Sequence, residues 1–92
     1  MPFDFDFTDE LKLTLSRLAK RNKPLAEEVK KKVRQVTASD GETVEHYKNL
    51  RHDLKNYKRV HVGSFVLFFR VFKEENFILF DRLAHHDDAY KR

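Results

Sequence analysis

No cysteine occurs anywhere in the 92 residues, which excludes disulfide staples, thiol nucleophiles and thiolate metal sites, and leaves the fold indifferent to the redox state of its compartment. A metal would have to be held by histidine and carboxylate alone. Glycine and proline are scarce, two of each, so no glycine-rich loop is available to cradle a phosphate. No apolar run approaches the ~20 residues needed to span a bilayer. The first residues, Met1 to Phe7, are acidic and alternating, without the cationic start and apolar centre of a secretory signal. A soluble, cytoplasmic protein with no membrane partner is expected. There is no internal repeat, low-complexity stretch or linker. The length suits one modest core, so residues 1–92 are expected to form a single domain.

What the chain does have is phenylalanine, nine of them within a 40% apolar composition, and large rings compensate for a short list of core residues. The formal charge of +4 is moderate, and its distribution says more than its size. Between His46 and His61 lie Lys48, Arg51, Lys55, Lys58 and Arg59, with His46, His52 and His61, against the single acid Asp53. This stretch predicts a positive patch. Tyr47 and Tyr57 are interleaved with it, a combination suited to unpaired nucleic acid, because rings stack on bases while cations hold phosphate. Lys48, Arg51, Lys55 and Lys58 are therefore candidate RNA-binding residues.

Phe3, Phe5 and Phe7 alternate with Asp4 and Asp6, the period of an edge strand with one buried face. A helix follows, capped by Thr8 or Asp6, with Asp9 and Glu10 in its first turn and Leu11, Leu15 and Leu18 as its apolar stripe. It should stop near Arg21-Asn22. Pro24 fits the first turn of a second helix, whose apolar face is Leu25, Val29, Val33 and Val36. Glu27/Lys31 and Glu28/Lys32 are spaced for i,i+4 pairing, and the valine spacing makes Lys30, Lys31, Lys32 and Arg34 a solvated face. Ala38 to Thr43 reads as a connecting loop.

Tyr57 to Val62 and Phe65 to Phe72 flank Gly63-Ser64, a glycine-first connection suited to a type II′ hairpin. Pairing Val62 with Phe65 sets His61 across from Val66, Arg59 across from Phe68 and Tyr57 across from Arg70, all on one face. The other face holds Lys58, Val60, Val62, Phe65, Leu67, Phe69 and Val71, suited to burial under the helices. Lys73 to Asn76 is a turn, and Phe77 to Leu83 a third strand whose register leaves open whether Asp81 or Arg82 joins the face of Arg59. The sum is an α+β fold: an N-terminal strand, a two-helix hairpin, then an antiparallel three-stranded meander forming a sheet with the helices packed on one face.

This order resembles the RelE/ParE superfamily of toxins from toxin–antitoxin systems. The segments that carry the resemblance are LSRLAKRNKPLAEEVKKKV, NLRHDLKNYKRVHVGSFVLFFRV and AHHDDAY, and together with the first strand they cover nearly the whole chain. The resemblance implies a ribosome-dependent endoribonuclease that cuts mRNA, held in check by a RelB-like antitoxin; the free toxin would be a monomer and the complex a hetero-oligomer. Basic residues on the first central strand correspond here to Arg59 and His61, the terminal Arg to His86, and the terminal Tyr to Tyr90. Val66 stands where an Arg is usual, a departure that removes a phosphate-stabilising charge. A ParE-like protein that inhibits DNA gyrase by binding, or a homologue retaining only antitoxin binding, would share the fold without needing these groups.

RNA cleavage without a metal needs a base for the 2′-hydroxyl proton, a cation for the developing phosphorane charge and an acid for the 5′-oxygen. Imidazole suits proton transfer, because it ordinarily titrates near ~6.5, and guanidinium suits phosphate. The expected roles are Arg59, with Arg82, on the phosphate; His61, His85 or His86 exchanging protons; and Tyr90 stacking on a base or positioning the hydroxyl. His85 also reads as a packing or capping residue. A metal site from His85, His86, Asp87 and Asp88 is disfavoured, since adjacent residues point in different directions. No cofactor or metal is expected.

Overall fold

The computed structural model describes residues 3–47 and 57–89. In chain order they form β1 (Asp4–Phe7), α1 (Asp9–Arg21), α2 (Lys23–Thr37), the one-turn α3 (Gly41–Val44), β2 (Tyr57–Val62), β3 (Phe65–Phe72), a 3₁₀ turn (Lys73–Glu75), β4 (Phe77–His85) and the one-turn α4 (His86–Ala89). The strands make one sheet of order β1-β4-β3-β2. β1 lies parallel to β4, whereas β2, β3 and β4 form the antiparallel meander. No helix among the described residues is long and apolar enough to cross a membrane.

Local chemistry sets the boundaries. Thr8 caps α1 by accepting from the Leu11 N–H at 3.1 Å, worth about 1 kcal/mol at such a position. Asn22 ends α1 and starts α2: its N–H donates to Leu18 O while its side chain accepts from the Leu25 N–H at 3.3 Å. The segment expected as loop contains one helical turn, because the Asp40 side chain accepts from the Thr43 N–H at 2.7 Å, a bond that also holds this carboxyl below its ordinary range. That turn drives Val44 into the core. Gly63 has φ +58°, and Asn76 is the only other described residue with positive φ, so the Gly63-Ser64 connection has the type II′ pattern. The β2–β3 pairing follows in the expected register, from Val62 opposite Phe65 to Tyr57 opposite Arg70.

The core lies between the helical hairpin and one sheet face. Leu11, Val29, Val33, Val36 and Val44 meet Val62, Leu67, Phe69, Val71, Ile78 and Phe80, with Leu15, Leu18 and Leu25 packed around them. Each such side chain gains roughly 1.5–3 kcal/mol from burial. Two details depart from the periodicity. Phe5, expected on a buried face, remains 45% exposed, because β1 is an edge strand and the helices leave a shallow groove beside it. On α2 the ion pairs form at i,i+3: Lys30 with Glu27 and Lys31 with Glu28, both at 3.8 Å, while Lys32 turns to Gln35 at 3.2 Å. Exposed pairs of this kind contribute little.

Candidate functional site

The sheet face turned away from α1 and α2 is built in rows by strand alternation. One row is His61, Val66 and Ala84; the next is Arg59, Phe68 and Arg82; the third begins with Tyr57 and Arg70. Arg82 joins Arg59, the alternative left open by the sequence, and Asp81 joins too. The reason is a bulge: Phe68 pairs with Arg82 but Phe69 with Phe80, so Asp81 is an extra residue on β4. Two successive side chains thereby reach the same face. The bulge is braced from the start of the chain, where the Thr8 N–H donates to Phe80 O at 3.0 Å and the Thr8 hydroxyl donates to the Asp81 carbonyl.

His61 and His86 are exposed, with ring centroids 5.8 Å apart and planes tilted by 31°. His86 is held there because its N–H donates to Ser64 O at 2.8 Å, tying the start of α4 to the hairpin turn. α4 then folds across the sheet, and Ala89 seals Val66 and Phe68, both fully buried, with Tyr57 and Ala84 at the edge of this second cluster. Val66 is therefore the floor under α4. Arg82 lies 4.3 Å over the Phe68 ring and donates from Nη2 to Ala89 O at 2.8 Å, so it works as a strut as well as a positive charge.

Arg59 is half-buried on the edge strand and lines an open cleft of about 250 Å³ with His46, Tyr47, Val60 and His61. A cation at the floor and imidazoles at the rim suit an anionic ligand with protons to exchange. One row away, the Tyr57 hydroxyl donates to Asp81 Oδ2, and the exposed Arg70 guanidinium lies 5.1 Å from the Tyr57 ring. Burial, then the bond to Asp81 and that carboxylate's charge, push the Tyr57 phenol up to about 12. Tyr57 is thus a donor, not a base.

Two sequence candidates fall elsewhere. His85 pairs with Phe65 across the ladder and packs its ring edge-on at 5.3 Å, which by alternation puts it on the opposite face from His61. Its Nδ1 accepts from the Asp87 N–H at 3.2 Å, a local cap rather than a member of the cluster. Lys58 is 2% exposed and faces the helices with Val60 and Val62, not the surface where RNA binding was expected. Its ammonium donates to Tyr47 O at 3.2 Å and lies 4.0 Å from Glu45, which also binds Lys73 at 2.8 Å. The Lys73 bond, helped by the Lys58 charge, holds the Glu45 carboxyl below its ordinary range. Tyr90, Lys48, Arg51 and Lys55 lie outside the described residues. Asp81 was given no role from the sequence, Tyr57 and Arg70 were placed on the candidate face by the register without a catalytic assignment, and His46 was read as part of the positive patch rather than as a cleft residue. The hairpin register already placed Tyr57 and Arg70 together, but nothing in strand alternation announces a bulge.

This architecture is that of a RelE-type toxin fold. Over 97% of this chain and 88% of that one, it superposes on the RelE toxin of Escherichia coli, a double arginine-to-alanine mutant in the free state, with TM-score 0.76 and 16% identity. The RelBE2 toxin–antitoxin complex of Mycobacterium tuberculosis gives TM-score 0.70 at 22% identity, covering 92% of each chain. These likenesses establish the fold alone. In sequence, residues 5–90 match the family described as ParE toxin of type II toxin–antitoxin system. The protein named RelE4 in Methanocaldococcus jannaschii is 36% identical over 91 residues, 98% of this chain and 93% of its relative. The chain belongs to the ParE toxin family of type II toxin–antitoxin systems, within the RelE/ParE superfamily.

Proposed function

We propose that this toxin is a metal-independent endoribonuclease that cuts mRNA on the ribosome. The observation that carries the reading is the His61–His86 pair, 5.8 Å between centroids, beside Arg59 on one sheet face. One imidazole takes the 2′-hydroxyl proton as that oxygen attacks phosphorus. The other gives a proton to the departing 5′-oxygen, leaving a 2′,3′-cyclic phosphate and a 5′-hydroxyl. Arg59 balances the charge of the pentavalent intermediate stage, and Arg82 adds to the field while holding α4. Tyr90 is assigned to base stacking or to positioning the attacking hydroxyl. Lys48, Arg51 and Lys55 are assigned to the RNA backbone; Lys58 is withdrawn from that role because it is buried. The partner is a RelB-like antitoxin, a reading supported by family membership and by the toxin–antitoxin complex among the structural neighbours.

Purified protein incubated with mRNA-programmed ribosomes should generate new 5′ ends that His61→Ala and His86→Ala abolish. The match to the ParE family favours one second reading, inhibition of DNA gyrase by binding. Inhibited supercoiling without mRNA cleavage, unchanged in both histidine variants, would replace the first reading by the second.

A further inference from the structure

The cleavage chemistry uses the histidine and Arg59 rows and leaves a carboxylate unexplained. Asp81 is half-buried on a face otherwise dominated by Arg59, Arg70, Arg82 and histidines, and it would repel an RNA backbone. The bulge is what puts it there, in addition to Arg82 rather than in its place. The Tyr57 hydroxyl fixes its Oδ2, using one of the lone pairs that a carboxylate offers, and the exposed Arg70 guanidinium lies over the Tyr57 ring. Tyr57 is four residues along β2 from His61, ~13 Å in an extended strand. That is the reach of a neighbouring nucleotide, not of the bond being cut.

A carboxylate beside guanidinium groups complements one base edge. Guanine presents two adjacent N–H donors, N1 and N2, next to the O6 acceptor; uracil flanks its lone donor with acceptors, and adenine and cytosine each offer one amino donor followed by acceptor nitrogen or oxygen. Resting on the endoribonuclease reading, we infer that Asp81, Tyr57 and Arg70 form a guanine-selective base subsite for single-stranded RNA. Asp81 accepts from N1–H and N2–H, the Arg70 guanidinium stacks on the base, and Tyr57 holds the carboxylate in place. Arg82, on the adjacent row, suits the O6 acceptor.

The test is fluorescence anisotropy with short labelled oligouridine strands carrying a single guanosine, inosine or adenosine. The wild-type protein should bind the guanosine strand about tenfold more tightly than the adenosine strand, with inosine between them, as one bidentate base contact allows. Asp81→Asn keeps an oxygen for Tyr57 but presents an amide to guanine, and should bring the three strands to equal affinity. Arg70→Ala, at an exposed position, should weaken all three. Equal or undetectable binding of the strands by the wild type, or an intact guanosine preference in Asp81→Asn, overturns the subsite. The readout also separates the two proposals: ribosomal cleavage with no guanosine at a fixed distance from the cut overturns the subsite and leaves the nuclease standing. Guanosine-selective binding without cleavage does the reverse.

Discussion

The two faces of the sheet are built on different principles. The face toward α1 and α2 is a largely apolar layer of leucine, valine, isoleucine and phenylalanine, and its buried cation among the described residues, Lys58, is satisfied by Tyr47 O and Glu45. Among the described residues, the other face is covered by the helical turn of α4, which is held by Arg82, the His86–Ser64 backbone bond and the small cluster of Val66, Phe68 and Ala89. Stability is concentrated on the first and titratable chemistry on the second. Because both belong to the same four-stranded sheet, alternate residues of one strand serve opposite ends, as Lys58 and Arg59 do.

The sharpest way to break this contrast is to cut the first face. Phe69→Ala should cost about 3–5 kcal/mol, a large share of the roughly 5–15 kcal/mol available to a small domain, measured by denaturant unfolding. On the second face, His61→Ala or His86→Ala should lower mRNA cleavage by ~10²–10⁴-fold while changing stability by no more than ~0.5 kcal/mol. A comparable loss of stability in the histidine variants would erase the division. Lys58→Ala should destabilise by about 1–3 kcal/mol, since it strips a partner from groups at a buried position, and should leave the salt dependence of RNA binding unchanged. A reduced salt slope would return Lys58 to the RNA surface.

Smaller effects probe the join between the faces. Thr8→Ala removes a cap and a brace on the bulge and should cost about 1 kcal/mol, with a further loss of guanosine selectivity that an ordinary cap would not affect. The smallest effect is spectroscopic. The Tyr57 phenol holds its proton more tightly folded than unfolded, so its contribution to stability is complete below ~10 and is lost as pH rises toward about 12. An ultraviolet titration should show one late tyrosinate transition that Tyr57→Phe removes. Its persistence in the variant would assign the late phenol elsewhere.

Much of this was legible in the residues. Gly63-Ser64 set the hairpin register, the register set the faces, and Leu11 and the valine stripe of α2 declared the covered side. Strand alternation put Arg59 and His61 on one face, whereas His86 was joined to them only through the family resemblance. Illegible features were those where a long-range bond overrides a local pattern. The bulge at Asp81 depends on Thr8, seventy-three positions away. His85 and His86 differ by one residue and so by a whole face, a distinction that needs the last strand's pairing with β3. Lys58 carried two readings, a cation of the positive patch and, by alternation, a member of the covered face, and its burial follows the alternation.

The position of β4 has a consequence for how the molecule comes into being. It follows β1, β2 and β3 in the chain, yet it lies between β1 and β3 and supplies Asp81, Arg82 and the approach to His86. Without it, β1 has no neighbour in the described sheet, Thr8 has no bulge to brace, and the helices have only part of their apolar floor. A chain in which β4 has not paired therefore holds an unfinished sheet, and the face that carries Asp81 and Arg82 is assembled only when β4 docks between β1 and β3.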